Sequence, residues 1–191
     1  MRKLTYYISH SIDGFIAAPD GDFNFLMGFD EMFAWIVENS PETLPTPVHA
    51  AIGSDPTPKK YDTVIMGRAT YDPGYNVGLF SPYAHLRQYV VTSSLKETPA
   101  ADVTLVGSDP LATVRALKAE DGDMGIWLAG GGTLASALYD EIDELVFKTY
   151  PVLAGAGIPL FQGPFNPRRF DLVETRQFAE GSSVSHYVKT T

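Results

Sequence analysis

The chain has 191 residues, 45% of them hydrophobic and 19% charged, which is enough for one domain spanning 1–191 with a sizeable core. A formal net charge of −9 with the fourteen Lys and Arg residues scattered argues against a nucleic-acid surface, and the lack of cysteine excludes disulfides, thiolate catalysis and Cys-type zinc sites. No run of eighteen apolar residues occurs, and Ser9-His10-Ser11 and Asp13 interrupt the start before it reaches signal-peptide length, so a cytoplasmic protein without a membrane partner is expected.

Leu4 to Ile8 reads as a strand, followed by a loop excursion over 9–24 that contains a brief extended piece at Phe15 to Ala18 and turns at Asp13-Gly14 and Asp20-Gly21. Asp30 is a candidate N-cap for a helix whose apolar stripe is Met32, Phe33, Ile36 and Val37, ended by Asn39-Ser40-Pro41. The proline-rich stretch 41–60 lacks periodicity and is expected to be an irregular connection, either a flap or a surface insertion. Thr63–Met66, Gln88–Val91 and Val103–Val106 are buried-strand patterns. After the last, Ser108 or Asp109 caps a helix with Pro110 at its first position, carrying Leu111, Val114 and Leu117 and stopping at Gly122. Ile126–Ala129 is a further strand, and Gly130-Gly131-Gly132 turns it directly into a helix bearing Leu134 and Leu138.

Beyond Asp140 the pattern changes. Glu144 to Tyr150, Ile158 to Phe161, Phe170 to Gln177 and Ser183 to Lys189 are all extended, with Glu180-Gly181-Ser182 as a hairpin turn. A parallel strand-and-helix region followed by a C-terminal antiparallel meander is therefore expected.

Three strands end in small, polar or basic residues: Gly67-Arg68-Ala69-Thr70, Thr92-Ser93-Ser94 and Gly130-Gly131-Gly132-Thr133. In an open α/β sheet the ligand lies beyond the carboxyl ends of the strands, so these segments can converge on one molecule carrying several phosphates. A helix N-terminus after glycines suits a pyrophosphate, and Arg68 suits a monophosphate. Gly130-Gly131-Gly132-Thr133-Leu134-Ala135 formally matches the G-x-G-x-x-A dinucleotide fingerprint, but it arrives after four strands, and the next strand ends in Tyr150-Pro151 instead of an acid. The histidines show no metal-ligand spacing, and no metal site is expected.

Taken in order, Val64–Tyr71, Val90–Ser94 and Ile126–Gly132 resemble the dihydrofolate reductase superfamily. The segment Ser11-Ile12-Asp13-Gly14-Phe15-Ile16-Ala17 is similar to the S-x-D-G-x-I-A signature of the branch containing the reductase domain of the bifunctional riboflavin-biosynthesis deaminase-reductase. That resemblance implies a three-layer α/β fold, with a mainly parallel mixed sheet of about eight strands, and NADPH as cofactor. It implies that Gly67, Arg68 and Thr70 hold the cofactor with the arginine beside the 2′-phosphate, and that Thr92, Ser93 and Ser94 form a second segment. Gly130 and Gly131, joined in the family by a cis peptide, lie with Gly132, Thr133 and Leu134 around the pyrophosphate, while Ile8, Ser9, Ile16 and Ala17 face the nicotinamide. A homodimer is implied as well.

One departure bears on the substrate. Folate reductases carry an acid on the first helix, and alignment on Ala34-Trp35 puts Met32 there; Asp30, two residues away, points about 200° elsewhere. Asp13, Met32 and Phe33 are the substrate-contact candidates, with Asp13 equally readable as an Asp-Gly turn residue. Arg168-Arg169 or Lys148 are the available cations for a substrate phosphate. No catalytic residue is assigned, because hydride chemistry belongs to the cofactor. The expected activity is hydride transfer from NADPH to a small heterocyclic substrate, with 5-amino-6-(5-phosphoribosylamino)uracil reduction as the alternative, and a nucleotide-binding protein without turnover as the reading from another class.

Overall fold

Alternating side chains along a strand supply two faces, and here both faces are apolar and both are covered by helices. The structure, a computed structural model, describes residues 1–190. Its strands are β1 (Leu4–Ser11), β2 (Phe15–Ala17), β3 (Tyr61–Gly67), β4 (Arg87–Val91), β5 (Val103–Val106), β6 (Gly125–Gly130), β7 (Glu144–Tyr150), β8 (Ile158–Pro159), β9 (Phe170–Gln177) and β10 (Ser183–Lys189). The helices are α1 (Asp30–Asn39), α2 (Thr46–Ile52), α3 (Arg68–Tyr75), α4 (Pro110–Ala119) and α5 (Gly132–Ala137).

Eight strands form one sheet in the order β5-β4-β3-β6-β1-β7-β10-β9, while β2 and β8 pair in a small separate ribbon. The pairings from β5 through β7 are parallel, and β10 is antiparallel to both β7 and β9. One face carries Tyr7, Val64, Met66, Trp127 and Val146 against Met32 and Ile36 of α1. The other carries Leu4, Tyr6, Ile65 and Leu128 against Val114 and Leu117 of α4 and Leu134 of α5. Three layers with a mostly parallel sheet are thus present, and the C-terminal hairpin supplies the antiparallel edge by returning β10, not β9, to the side of β7.

Several local expectations are corrected. β1 continues through Ser11, because its register with β7 runs as far as Ser11 beside Tyr150; residues 9–11 are strand, not loop. The stretch 41–60 is not irregular throughout: a 3-10 turn at Pro41–Thr43 leads into α2, which Gly53 ends in the left-handed conformation. This segment is anchored from inside, with the buried Glu42 carboxylate accepting the backbone N–H groups of Lys60 and Tyr61 at 2.7 and 3.0 Å. Asp109 is the cap of α4, its carboxylate accepting the Ala112 N–H at 2.8 Å.

Asp30 does not cap α1; it is the first helical residue, and Phe29 occupies the cap position without a side-chain bond. The cap comes from the β9–β10 turn. Glu180 accepts the N–H groups of Glu31 and Met32 at 3.1 and 3.0 Å, and Glu31 in return accepts the Ala179 N–H at 2.8 Å. The helix N-terminus thereby gains a negative charge where its dipole favours one. Burial alone would raise the Glu180 carboxyl, but the N–H groups of Met32 and Glu31 and the Ser182 hydroxyl outweigh it and hold the group below its ordinary value. A carboxyl depressed on folding stabilises the native state above its unfolded pKa and loses that contribution as pH falls through the folded one. Glu180→Gln is therefore expected to lower the melting temperature at neutral pH and to flatten its decline below about pH 4.5; parallel acid-limb curves for both proteins would show the clamp to be inert.

Candidate active site

In a parallel sheet all carboxyl ends share one edge, and the order β4-β3-β6-β1 sets the polar corners side by side. Register places Gly67 beside Val91 and Met66 beside Gly130, so the Gly67 and Gly130 corners and the one that opens at Thr92 lie at neighbouring strand ends. The backbones approach closely there. A Cβ built on Gly130 would lie 3.3 Å from the Ile8 side chain and 3.6 Å from Thr70 Oγ1; one on Gly131 would lie 3.7 Å from Ile16. One on Gly67 would lie 3.7 Å from both Gly130 O and Gly131 N. Ile8, Ile16, Gly67 and Thr70 thus ring the Gly130-Gly131 peptide, which is cis, as the resemblance implies.

Arg68 opens α3. Its Nε donates to the Asp72 carboxylate one turn on, and its guanidinium stacks 4.8 Å from the centre of the Tyr75 ring. The fork is held in place while neither Nη group meets a protein acceptor among the described residues, an arrangement suited to bidentate capture of an oxyanion. Thr92 is buried, and its hydroxyl accepts the Leu95 N–H at 3.0 Å, so it shapes the turn that presents the exposed Ser93 and Ser94. At the third corner Thr133 donates to Gln162 at 2.6 Å, and the Leu134 side chain is in the core, leaving its backbone N–H in the first turn of α5.

The loop facing these corners is held by Asp13. Its carboxylate accepts the Ser11 hydroxyl at 2.6 Å and the N–H groups of Ala154 and Gly155 at 3.1 and 2.7 Å. The Ser11 hydroxyl foremost pulls the Asp13 carboxyl down to about 2. The turn-residue reading of Asp13 therefore has a definite partner, the loop after β7, and beyond that turn Phe15 to Ala17 pair with β8. Ser9 lies in β1 beside Lys148, and Ala17 is buried in β2.

Of the other substrate candidates, Met32 is fully buried in the core and Phe33 is 38% exposed on the outer side of α1. Two residues on the inner side stand out instead. Lys148 and Tyr150 project from β7 on the face that α1 covers, with the Tyr150 ring 5.0 Å from that of Phe29. The Lys148 ammonium lies 4.3 Å from the centre of the Tyr7 ring, and no carboxylate or other acceptor among the described residues bonds to it. Burial alone lowers this lysine to about 7. Lys148 was already a candidate cation in the sequence and Tyr150 was not; strand alternation was the signal that joins them, since Val146, Lys148 and Tyr150 share one face. A separate cleft of about 600 Å³ opens at the opposite end of the strands, beside Arg2, Lys60, Gly125 and Glu144, away from the three corners.

Among the described residues no helix is long and apolar enough to cross a membrane. The family model for the RibD C-terminal domain matches residues 2–184. The uncharacterized protein YwjB of Bacillus subtilis (strain 168) is 32% identical over 190 residues, covering 98% of each chain. A crystal structure of a putative riboflavin biosynthesis protein from Shewanella sp. PV-4 superposes with a TM-score of 0.71 at 22% identity, covering 100% of both chains. Dihydrofolate reductase from Enterococcus faecalis, complexed with NADP(H), superposes with a TM-score of 0.66 at 13% identity over 99% of this chain and 97% of that one. At these identities the two structures share the fold.

Proposed function

Since the chain belongs to the RibD C-terminal domain family, we propose that it is an NADPH-dependent reductase acting on a small heterocyclic or otherwise unsaturated substrate. The observation that carries this reading is the convergence of Ile8, Ile16, Gly67 and Thr70 on the Gly130-Gly131 peptide, with the braced Arg68 guanidinium on the adjoining corner. The residues fit such a cofactor. Glycines keep the floor low, Arg68 offers two Nη groups to a 2′-phosphate, and Ser93, Ser94 and the first-turn N–H groups of α5 supply donors.

The cofactor, when bound, supplies the hydride. The chain's own part is positional. Ile8, Ile16 and Thr70 bound the space above the glycine peptide, Asp13 ties the β1–β2 turn to the opposing loop, and α1 closes the substrate side with its apolar face. Met32, where an acid would serve a pterin, offers no charge.

NADPH is expected to bind more tightly than NADH, and Arg68→Ala to weaken NADPH by roughly 1–3 kcal/mol, about 5- to 150-fold in Kd, with NADH nearly unchanged. Fluorescence titration with both cofactors measures this; a parallel loss for both would make Arg68 structural. NADPH oxidation against dihydrofolate, 5-amino-6-(5-phosphoribosylamino)uracil and simple quinones then tests turnover. Little consumption of dihydrofolate is expected. The riboflavin intermediate is the second reading, favoured by the family match, and tight NADPH binding without any oxidation would favour a nucleotide-binding protein. A homodimer belongs to the same proposal, supported by the exposed edge strand β9 with Leu172 and Val173 57% and 61% exposed; a solution mass near the monomer's 20.8 kDa would exclude it.

A further inference from the structure

Resting on the reductase reading, we propose that Lys148 is the proton donor of the reaction, and that the substrate therefore presents a carbonyl or imine acceptor, with the developing negative charge on its oxygen or nitrogen placed at the Lys148 ammonium. Four observations on the α1-covered face lead there. Lys148 is the register partner of Ser9, so its side chain rises with that of Ser9 from the α1-covered face, on the strand next to β1, whose Ile8 turns to the other face and borders the Gly130-Gly131 peptide. The adjacent Tyr150 carries a hydroxyl whose neighbour is the Ser9 side chain, so hydroxyls and an ammonium share this part of the face. Met32, on the helix opposite, brings no carboxylate. Finally, the ammonium rests on the face of a buried aromatic ring and has no hydrogen-bond acceptor, although its three N–H donors would ordinarily find one.

The groups facing Lys148 from each packed element leave it unpaired. Tyr7 of β1 offers its ring, and its hydroxyl points to the turn after α1, where Tyr7 Oη, Ser40 Oγ and Glu42 Oε2 are themselves without partners. From β10 the register partner is Val184; beyond it Arg176 of β9 adds a cation, stacked on Phe178. From the β9–β10 turn, Glu180 is spent on the N-terminus of α1. On the α1 side Lys60 lies over Trp35. The pocket thus has a positive end without a counter-ion, which attracts an electron-rich acceptor atom and repels a cationic ring. Desolvation, the sole cause that moves this amine, brings it to a value at which it both holds and releases a proton near neutrality.

In the step itself, the bound cofactor would supply the hydride that forms a C–H bond at the substrate carbon. The π pair of C=O or C=N moves to the heteroatom, which takes a proton from Lys148 Nζ. The products are oxidised cofactor, an alcohol or amine, and a neutral lysine that solvent reprotonates.

The test compares wild type, Lys148→Met and Lys148→Arg, with the three acceptors named above as probes. Lys148→Met is expected to lower kcat by about 10²- to 10⁴-fold while leaving the NADPH Kd unchanged. Lys148→Arg is expected to fail to rescue, because a guanidinium keeps its proton. Wild-type kcat is expected to fall as pH rises above about 7 as the amine deprotonates, and this limb is expected to vanish in Lys148→Met; a kcat within threefold of wild type, or an unmoved pH profile, overturns the proposal. Should NADPH bind and no probe be consumed, the reductase reading falls separately. The lysine is then judged by ¹³C NMR of lysine-labelled protein with NADP⁺ bound. The assignment stands only if Nζ titrates near neutrality and its midpoint moves on adding 5-amino-6-(5-phosphoribosylamino)uracil, and falls otherwise.

Discussion

Gly132→Ala is expected to destabilise the fold by about 3 kcal/mol or more, a melting-temperature loss of roughly 6–12 °C for a domain of this size. A Cβ at this position would lie 2.2 Å from the Pro159 carbonyl oxygen and 3.2 Å from that of Leu160. Both are backbone atoms, so no side-chain rotation relieves the contact. α5 must lift or β8 must retreat, and β8 is paired to β2, where Ile16 reaches toward Gly131. Cofactor binding should therefore decline along with stability. Gly67→Ala is the control. Its Cβ would meet nothing nearer than 3.7 Å, and its backbone is extended at φ −79° and ψ 163°. Thermal unfolding within about 1 kcal/mol of wild type is expected for it, the range of a tolerated core change, with weaker NADPH binding. A wild-type melting temperature for Gly132→Ala would refute the packing account.

Lys148→Met is expected to raise stability while it lowers activity. A half-buried amine brought from 10.5 to about 7 corresponds to a penalty of at most about 2–5 kcal/mol at neutral pH, reduced by the solvent that still reaches it. The contact with the Tyr7 ring offsets on the order of 0.5–2 kcal/mol of this, so the penalty wins. The direction with pH follows from proton counting. The folded-state value lies below the unfolded one, so the native chain binds fewer protons; the penalty is full below about pH 7 and disappears as pH rises through 10.5. The gain from the methionine, a close match in length without the charge, should therefore be largest near about pH 6 and small near about pH 10. Denaturant unfolding at both values measures it. If the variant is less stable at the lower pH, the ammonium is satisfied and does not await a ligand. A group that costs stability and serves no packing purpose is the kind retained at a working site.

These two results also mark how far local sequence patterns reach. Gly130-Gly131-Gly132 was legible as a strand-to-helix corner because glycine is informative wherever it occurs between an apolar run and a helical stripe. Its conformational demand is local: Gly130 has φ +120°. That Gly132 must also clear the Pro159 carbonyl was not legible, because this contact depends on where a strand 27 residues onward lies. The same distinction separates Asp109, one of two adjacent cap candidates that local sequence offered, from Asp30, where Glu180 takes the role from the far end of the chain. Helix α2 was obscured because prolines at its start mask a short pattern; with Pro45 before it and Pro47 in its first turn, they are in fact compatible with a helix N-terminus. Asp13 was open between a turn and a ligand role, and its three donors show how firmly the turn is held.

By itself the sequence determined most of the strand and helix inventory and the three polar strand ends, since each depends on residues within a few positions of one another. Only the tertiary structure decided that β1 enters between β6 and β7, that Ile8 and Ile16 close over the glycine peptide, and that Lys148 stands under α1 without a counter-ion. Strand order and burial are properties of pairings between distant segments. An ammonium's surroundings, which set both its charge and its use, are written in no stretch of chain shorter than the fold.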